Sequence, residues 1–135
     1  MSKATPLAGG HPPAAILRGS DAGFSPVPGT RFEMRENGLQ AATGGTHTAR
    51  IFRAASGGTV EPVMHWHDAD FQYVHVLRGE IEFQLQGGER RTLVAGDAIW
   101  QPKGCLHCVT HVSDDLELLE IFSPADIATI RVDDE

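Results

Sequence analysis

The chain has 135 residues, 41% of them hydrophobic and 21% charged, with a formal net charge of −7 and a pI near 5.4. That length suits one domain able to bury roughly two thirds of its unfolded surface, with the composition of an ordinary globular protein. The acidic balance argues against nucleic acid and anionic membranes as partners, and no apolar run approaches the roughly 18 residues of a membrane span.

Fifteen Gly and eight Pro, with helix-period patterns almost absent, point to many short strands and turns, hence an all-β domain. Two Cys at close spacing do not make a secreted disulfide framework. Residues 1–30 are rich in Pro, Gly, Ser and Ala without a sustained period, and read as a flexible N-terminal arm. A short strand at residues 15–17 that pairs with a partner subunit is the alternative. The arm lacks a charged-then-apolar signal sequence, so a cytoplasmic protein is expected. His11, within it, is given no role.

The folded domain is expected over residues 31–135. Residues 31–34 open it, and Glu36-Asn37-Gly38 turns the chain. Residues 46–54 read as a strand with Thr48, Arg50 and Phe52 on one face and His47, Ala49, Ile51 and Arg53 on the other. Residues 60–67 form the next strand and carry His65 and His67. A hairpin follows, with residues 71–77 (FQYVHVL) and 80–86 as its arms and Arg78-Gly79 between them. Gly87-Gly88 is a strong turn signal, residues 90–94 and 98–101 are short strands, and Pro102-Lys103-Gly104 breaks the second. Residues 107–112 and 116–122 (LELLEIF) are strands, and residues 125–130 are one helical turn or an edge strand. The acidic stretch 114–120 is read as a turn and a solvated strand face.

His65 and His67 stand two apart on a strand, so both imidazoles point to one face. Asp68 to Phe71 allows a tight turn that brings Gln72 back towards them. Two imidazoles and a side-chain oxygen from adjacent strands make half of a metal site. Alone, the pair is weak: with seven His in 135 residues, chance gives roughly 0.4 such pairs. What strengthens it is Gly96-Asp97 opening a strand, Pro102-x-Gly104 closing it, and His107 following.

At this point the sequence resembles the cupin superfamily. Its first motif runs Gly, H-x-H, three or four residues, Glu, six residues, Gly. His65, His67 and Gly79 match, Gln72 stands at the Glu position, and Gly58 lies one residue farther out than usual. Its second motif runs Gly, five residues, P-x-G, two residues, His, three residues, Asn. Gly96, Pro102, Gly104 and His107 match, and His111 replaces the Asn.

The resemblance implies a single-domain, antiparallel jelly-roll β-barrel. It also implies one divalent transition metal per chain, held by His65, His67, Gln72 and His107. Iron(II) is the first choice, with Mn, Ni, Zn or Cu as alternatives. It does not transfer an activity, because one fold hosts many chemistries. The leading expectation is an oxygen-dependent, dioxygenase-like oxidoreductase acting on a small anionic chelating substrate. A non-catalytic binding or metal-sensing module, or a metal-assisted isomerase or lyase, are the alternatives. His111, on the His107 face by simple alternation, is the candidate catalytic acid or base, or a structural replacement of the Asn. His75, opposite Gln72, is expected outside the barrel. Trp100, Phe52, Phe83, Val74 and Val76 are candidates for pocket or core, and Trp66 should face away from the metal. Cys105 and Cys108 flank His107 as small hydrophobes, with a redox C-x-x-C disfavoured because no helix N-terminus is expected there. A homodimer is expected, with the strand at 116–122 and the arm as its surfaces.

Overall fold

Period-two alternation produces twelve strands among the described residues. The computed structural model describes residues 12–61 and 63–132. The strands are β1 (Ser25–Pro26), β2 (Phe32–Glu36), β3 (Thr48–Ala54), β4 (Gly58–Thr59), β5 (His65–His67), β6 (Phe71–Arg78), β7 (Glu80–Leu85), β8 (Arg90–Val94), β9 (Ala98–Trp100), β10 (His107–Val112), β11 (Glu117–Ser123) and β12 (Thr129–Arg131). One helical turn, α1 (Leu39–Ala42), joins β2 to β3. It is seeded by Asn37, whose side-chain oxygen accepts the Leu39 N–H at 3.1 Å, a local bond the sequence reading did not weigh.

The strands form two antiparallel sheets, in the orders β1-β2-β3-β11-β6-β9 and β12-β5-β10-β7-β8, with β4 also on β10. Inner faces follow from register. Leu118, Glu120 and Phe122 of β11 stand opposite Phe52, Arg50 and Thr48 of β3. On the other side of β11, Val74 stands opposite Glu120 and Gln72 opposite Phe122. Val74, Val76, Ile81, Phe83, Val112 and Leu118 belong to one apolar cluster inside the barrel. Each such side chain contributes about 1.5–3 kcal/mol by leaving water. Farther along the same strands the inward residues become Gln72, Glu120 and His107. The polar site therefore adjoins the apolar cluster, which walls its cavity.

The turn between β6 and β7 depends on Gly79. Its φ is +73°, and an added Cβ would lie 2.5 Å from Ser113 Oγ and 2.9 Å from Leu116 Cα. The motif glycine at this position is needed twice over, for its dihedral and for the close approach.

Several expectations need correction. Sheet pairing begins before residue 31: Ser25 and Pro26 pair with Met34 and Glu33, and the Phe24 ring lies under the guanidinium groups of Arg53 and Arg35 at 3.8 and 5.0 Å. Residues 15–17 form no strand, and Ile16 is 77% exposed. His11 lies outside the described residues. Of the strand expected at 60–67 only residues 65–67 form one, as β5, and β4 lies before it at 58–59. Of the two options for residues 125–130, the edge strand is the one formed, with Thr129, Ile130 and Arg131 pairing β5. Trp100 is 64% exposed on edge strand β9, neither pocket nor core. No helix among the described residues is long and apolar enough to cross a membrane.

Candidate metal centre

Three imidazoles converge inside the barrel. His65 and His67 come from β5, and His107 stands directly opposite His65 on β10. Ring centroids are 4.9 Å apart for His65–His67, 4.5 Å for His65–His107 and 5.1 Å for His67–His107. One ring nitrogen from each forms a group lying within 4.8 Å of one another.

The orientation of each ring is set by a neighbour. His65 Nδ1–H donates to the Val63 carbonyl at 2.9 Å, and His107 Nδ1–H donates to the Cys105 carbonyl at 2.9 Å. A carbonyl only accepts, so a proton sits on Nδ1, and the Nε2 of each ring is the nitrogen left to bind a metal. His67 Nδ1 is bonded to Thr129 Oγ1 of β12 at 3.0 Å. Anchoring of the second ring nitrogen is the usual arrangement behind a metal-ligating imidazole. Burial pushes His67 down to about 3, helped by the facing His107 and His65. Burial likewise takes His107 down to about 4, against the opposing effect of its bond to Cys105. Both are neutral bases at neutral pH, as metal ligation requires. The donor set therefore fits a divalent transition metal.

The imidazoles open on a cavity of about 490 Å³. Phe52, Val74, Ile81, Phe83 and Leu118 form apolar wall, while Gln72, Gln101, Glu120 and Arg50 supply polar groups. Arg31, Asp126 and Arg131 also border it. Gln72 is in the cavity wall and 2% exposed, and its Nε2 donates to Glu120 Oε2 at 3.2 Å. Burial raises the Glu120 carboxyl above its ordinary value, against the pull of Arg50 and the Gln72 amide.

Glu120 is the site residue that sequence reading missed. The acidic stretch before it suggests a solvated face, yet Glu120 alternates with Leu118 and Phe122 and points inwards with them. A carboxylate between two inward apolar residues of one strand was the available signal.

His111 is the opposite case. It does not border the cavity. The β10–β7 register shifts between Val109 and His111, leaving Thr110 as an extra residue. Such a bulge reverses the alternation. Val112 thus packs in the core beside Ile81, and His111 pairs Glu82 on the outer face. The expected catalytic position is withdrawn for that reason.

His75 stays on the face opposite Gln72, where Tyr73 Oη lies 3.0 Å from its Nδ1. Trp66 does not border the cavity. Cys105 and Cys108 are free thiols, and burial pushes both up, away from redox reactivity.

An antiparallel two-sheet barrel with a histidine-lined cavity is a jelly roll of the cupin kind. The cupin-domain family model matches residues 50–122, more than half of the sequence, so the chain belongs to the cupin family. No curated protein matches it. Among solved structures, KdgF from Halomonas sp. is 23% identical, covering 82% of this chain and 94% of that one, with a TM-score of 0.65. The polyketide cyclase RemF from Streptomyces resistomycificus is 18% identical, with 88% and 85% covered and a TM-score of 0.70. A predicted oxalate decarboxylase from Thermotoga maritima is 21% identical, with 82% and 99% covered and a TM-score of 0.67. At these identities the likeness is one of fold alone.

Proposed function

We propose that the protein is a cytoplasmic, metal-dependent enzyme acting on a small anionic molecule that chelates through two oxygens. The observation that carries this reading is the anchored trio of His65, His67 and His107, whose free nitrogens face one cavity. With Gln72 they would hold one divalent transition metal, and imidazole donors suit Fe, Zn, Cu and Ni. When bound, such an ion polarises a substrate oxygen. Arg50 stands directly opposite Glu120 in the ladder, so these two charges offset and an anionic substrate remains favoured.

The reaction best supported is a metal-assisted isomerisation or elimination, because Glu120 brings to the cavity a carboxyl group able to take or return a proton. Oxygen-dependent oxidation is the second reading, favoured by the neutral imidazole set, which suits redox-active first-row metals. The metal-loaded protein would be offered 2-oxo acids, hydroxy acids and enolisable diketones in deuterated water, with oxygen monitored. Deuterium uptake or elimination without oxygen consumption is expected. Stoichiometric oxygen consumption would replace the first reading by the second. Stabilisation by ligand with no turnover would make the protein a binding module.

We further propose a homodimer. Phe71, Leu77 and Trp100 are large apolar residues left exposed on neighbouring strands β6 and β9, a surface suited to a second copy. Strand β11, in contrast to the sequence expectation, is central in its sheet and offers only a face. Light scattering should give twice the chain mass, and Trp100→Glu should halve it; a monomeric parent would end the proposal.

A further inference from the structure

Gln72 is almost fully buried, so its amide needs partners on both heteroatoms. Its contact with Glu120 settles which way the amide faces. Nε2 donates to Glu120 Oε2 at 3.2 Å, and the carbonyl oxygen is left for the cavity.

The ladder makes this arrangement firm. Gln72 stands opposite Phe122 and Glu120 opposite Val74, so Gln72 and Glu120 are diagonal neighbours on one inner face. On its far side Glu120 faces Arg50 of β3. Arg50 is itself fixed, with Nε 3.3 Å from Glu36 Oε1 and its guanidinium 4.7 Å from the Phe122 ring centroid. The cupin motif carries a glutamate where this chain has Gln72. Here the negative charge stands one strand over, on β11.

We infer that Glu120 is a positioning residue of the metal centre, holding the Gln72 amide with its oxygen free for the cavity. This rests on the metal-binding part of the proposed function and not on the reaction. It concerns binding and geometry, so it can be tested without a substrate.

Cobalt(II) would be titrated into the full chain, with its visible spectrum and competition by a chelator as readouts. The melting temperature of the metal-free protein is the control for folding. Glu120→Leu should weaken cobalt binding by about 10–100-fold, the usual cost of losing a partner behind a ligand, and change the spectrum. Glu120→Gln, which keeps an acceptor oxygen but not the charge, should fall between Glu120→Leu and the parent. Gln72→Glu alone should gain little, because it puts two carboxylates in contact. The double variant Gln72→Glu/Glu120→Gln should bind at least about tenfold more tightly than Gln72→Glu. Glu120 variants with parental affinity and spectrum, or a double variant no better than Gln72→Glu, would overturn the inference. A parent that binds no cobalt would remove the metal reading itself, and this inference with it.

Discussion

His107 stands directly opposite His65 in the ladder between β10 and β5, with the two rings 4.5 Å apart. The two halves of the cupin pattern, distant in sequence, are therefore hydrogen-bonded neighbours. His67 completes the trio by strand alternation from His65. Because the apolar cluster of the barrel is built without any of the three imidazoles, the trio should be separable from stability. The parent is expected to hold close to one divalent metal per chain, with N–metal distances of about 2.0–2.2 Å. His67→Ala should lose most of that metal while its metal-free melting temperature stays near the parent's. Equal metal in both by elemental analysis would remove His67 from the site.

Acid should destabilise the metal-free protein in a defined window. His67 and His107 are held down to about 3 and about 4, against an unfolded value of 6.5. Between those limits the unfolded chain binds more protons than the folded one, so stability rises with pH across the window. Lowered pH should thus reduce the melting temperature from about 6.5 downwards, and the loss should level off once the folded imidazoles charge. Above that window these two residues add no slope. His67→Gln should flatten the curve. An unchanged slope in that variant would show that the destabilisation arises elsewhere.

Gly79→Ala should be more destabilising than Gly88→Ala. Both glycines have positive φ, +73° and +88°, so each substitution carries the left-handed penalty of about 1–2 kcal/mol. Only at Gly79 would the new Cβ meet neighbours, Ser113 Oγ at 2.5 Å and the Leu116 backbone at 2.9 Å; at Gly88 it meets nothing within 4 Å. Denaturant unfolding of the two variants measures the difference. Equal losses would mean that the β6–β7 turn relaxes away from Leu116.

Most of the strand plan was legible because turn residues and period-two alternation are local signals. Gly79, Gly87-Gly88 and Pro102 bound strands where the chain actually turns, and the inward set Gln72, Val74, Val76 follows from counting. What counting could not supply was the bulge at Thr110, which exchanges the faces of His111 and Val112 without any glycine to mark it. Nor could it supply Glu120's partners. Gln72 and Arg50 lie on β6 and β3, far from residue 120 in sequence, and only the sheet order brings them to either side of β11. The acidic neighbours Asp114, Asp115 and Glu117 disguise Glu120, the carboxylate of that stretch that lines the cavity.

The charge of the site gives a last test, of the substrate class. Three neutral imidazoles and a neutral amide leave a bound divalent ion with its full charge, while Glu120 and Arg50 largely cancel beside it. In a barrel interior, where charges interact more strongly than in water, a chelating anion is the ligand that relieves this. Oxalate or acetylacetone should therefore bind the metal-loaded protein and not the metal-free one. Gln72→Glu places a carboxylate at the centre itself, and should weaken the anion by about tenfold or more, since a unit charge a few ångströms away at an effective dielectric near 20 is worth a few kcal/mol. Titration of both forms at one pH and full metal loading compares them directly. Equal or tighter anion binding by Gln72→Glu would show that residue 72 does not set the charge preference. The anionic substrate class would then have to be given up, while the metal site could stand.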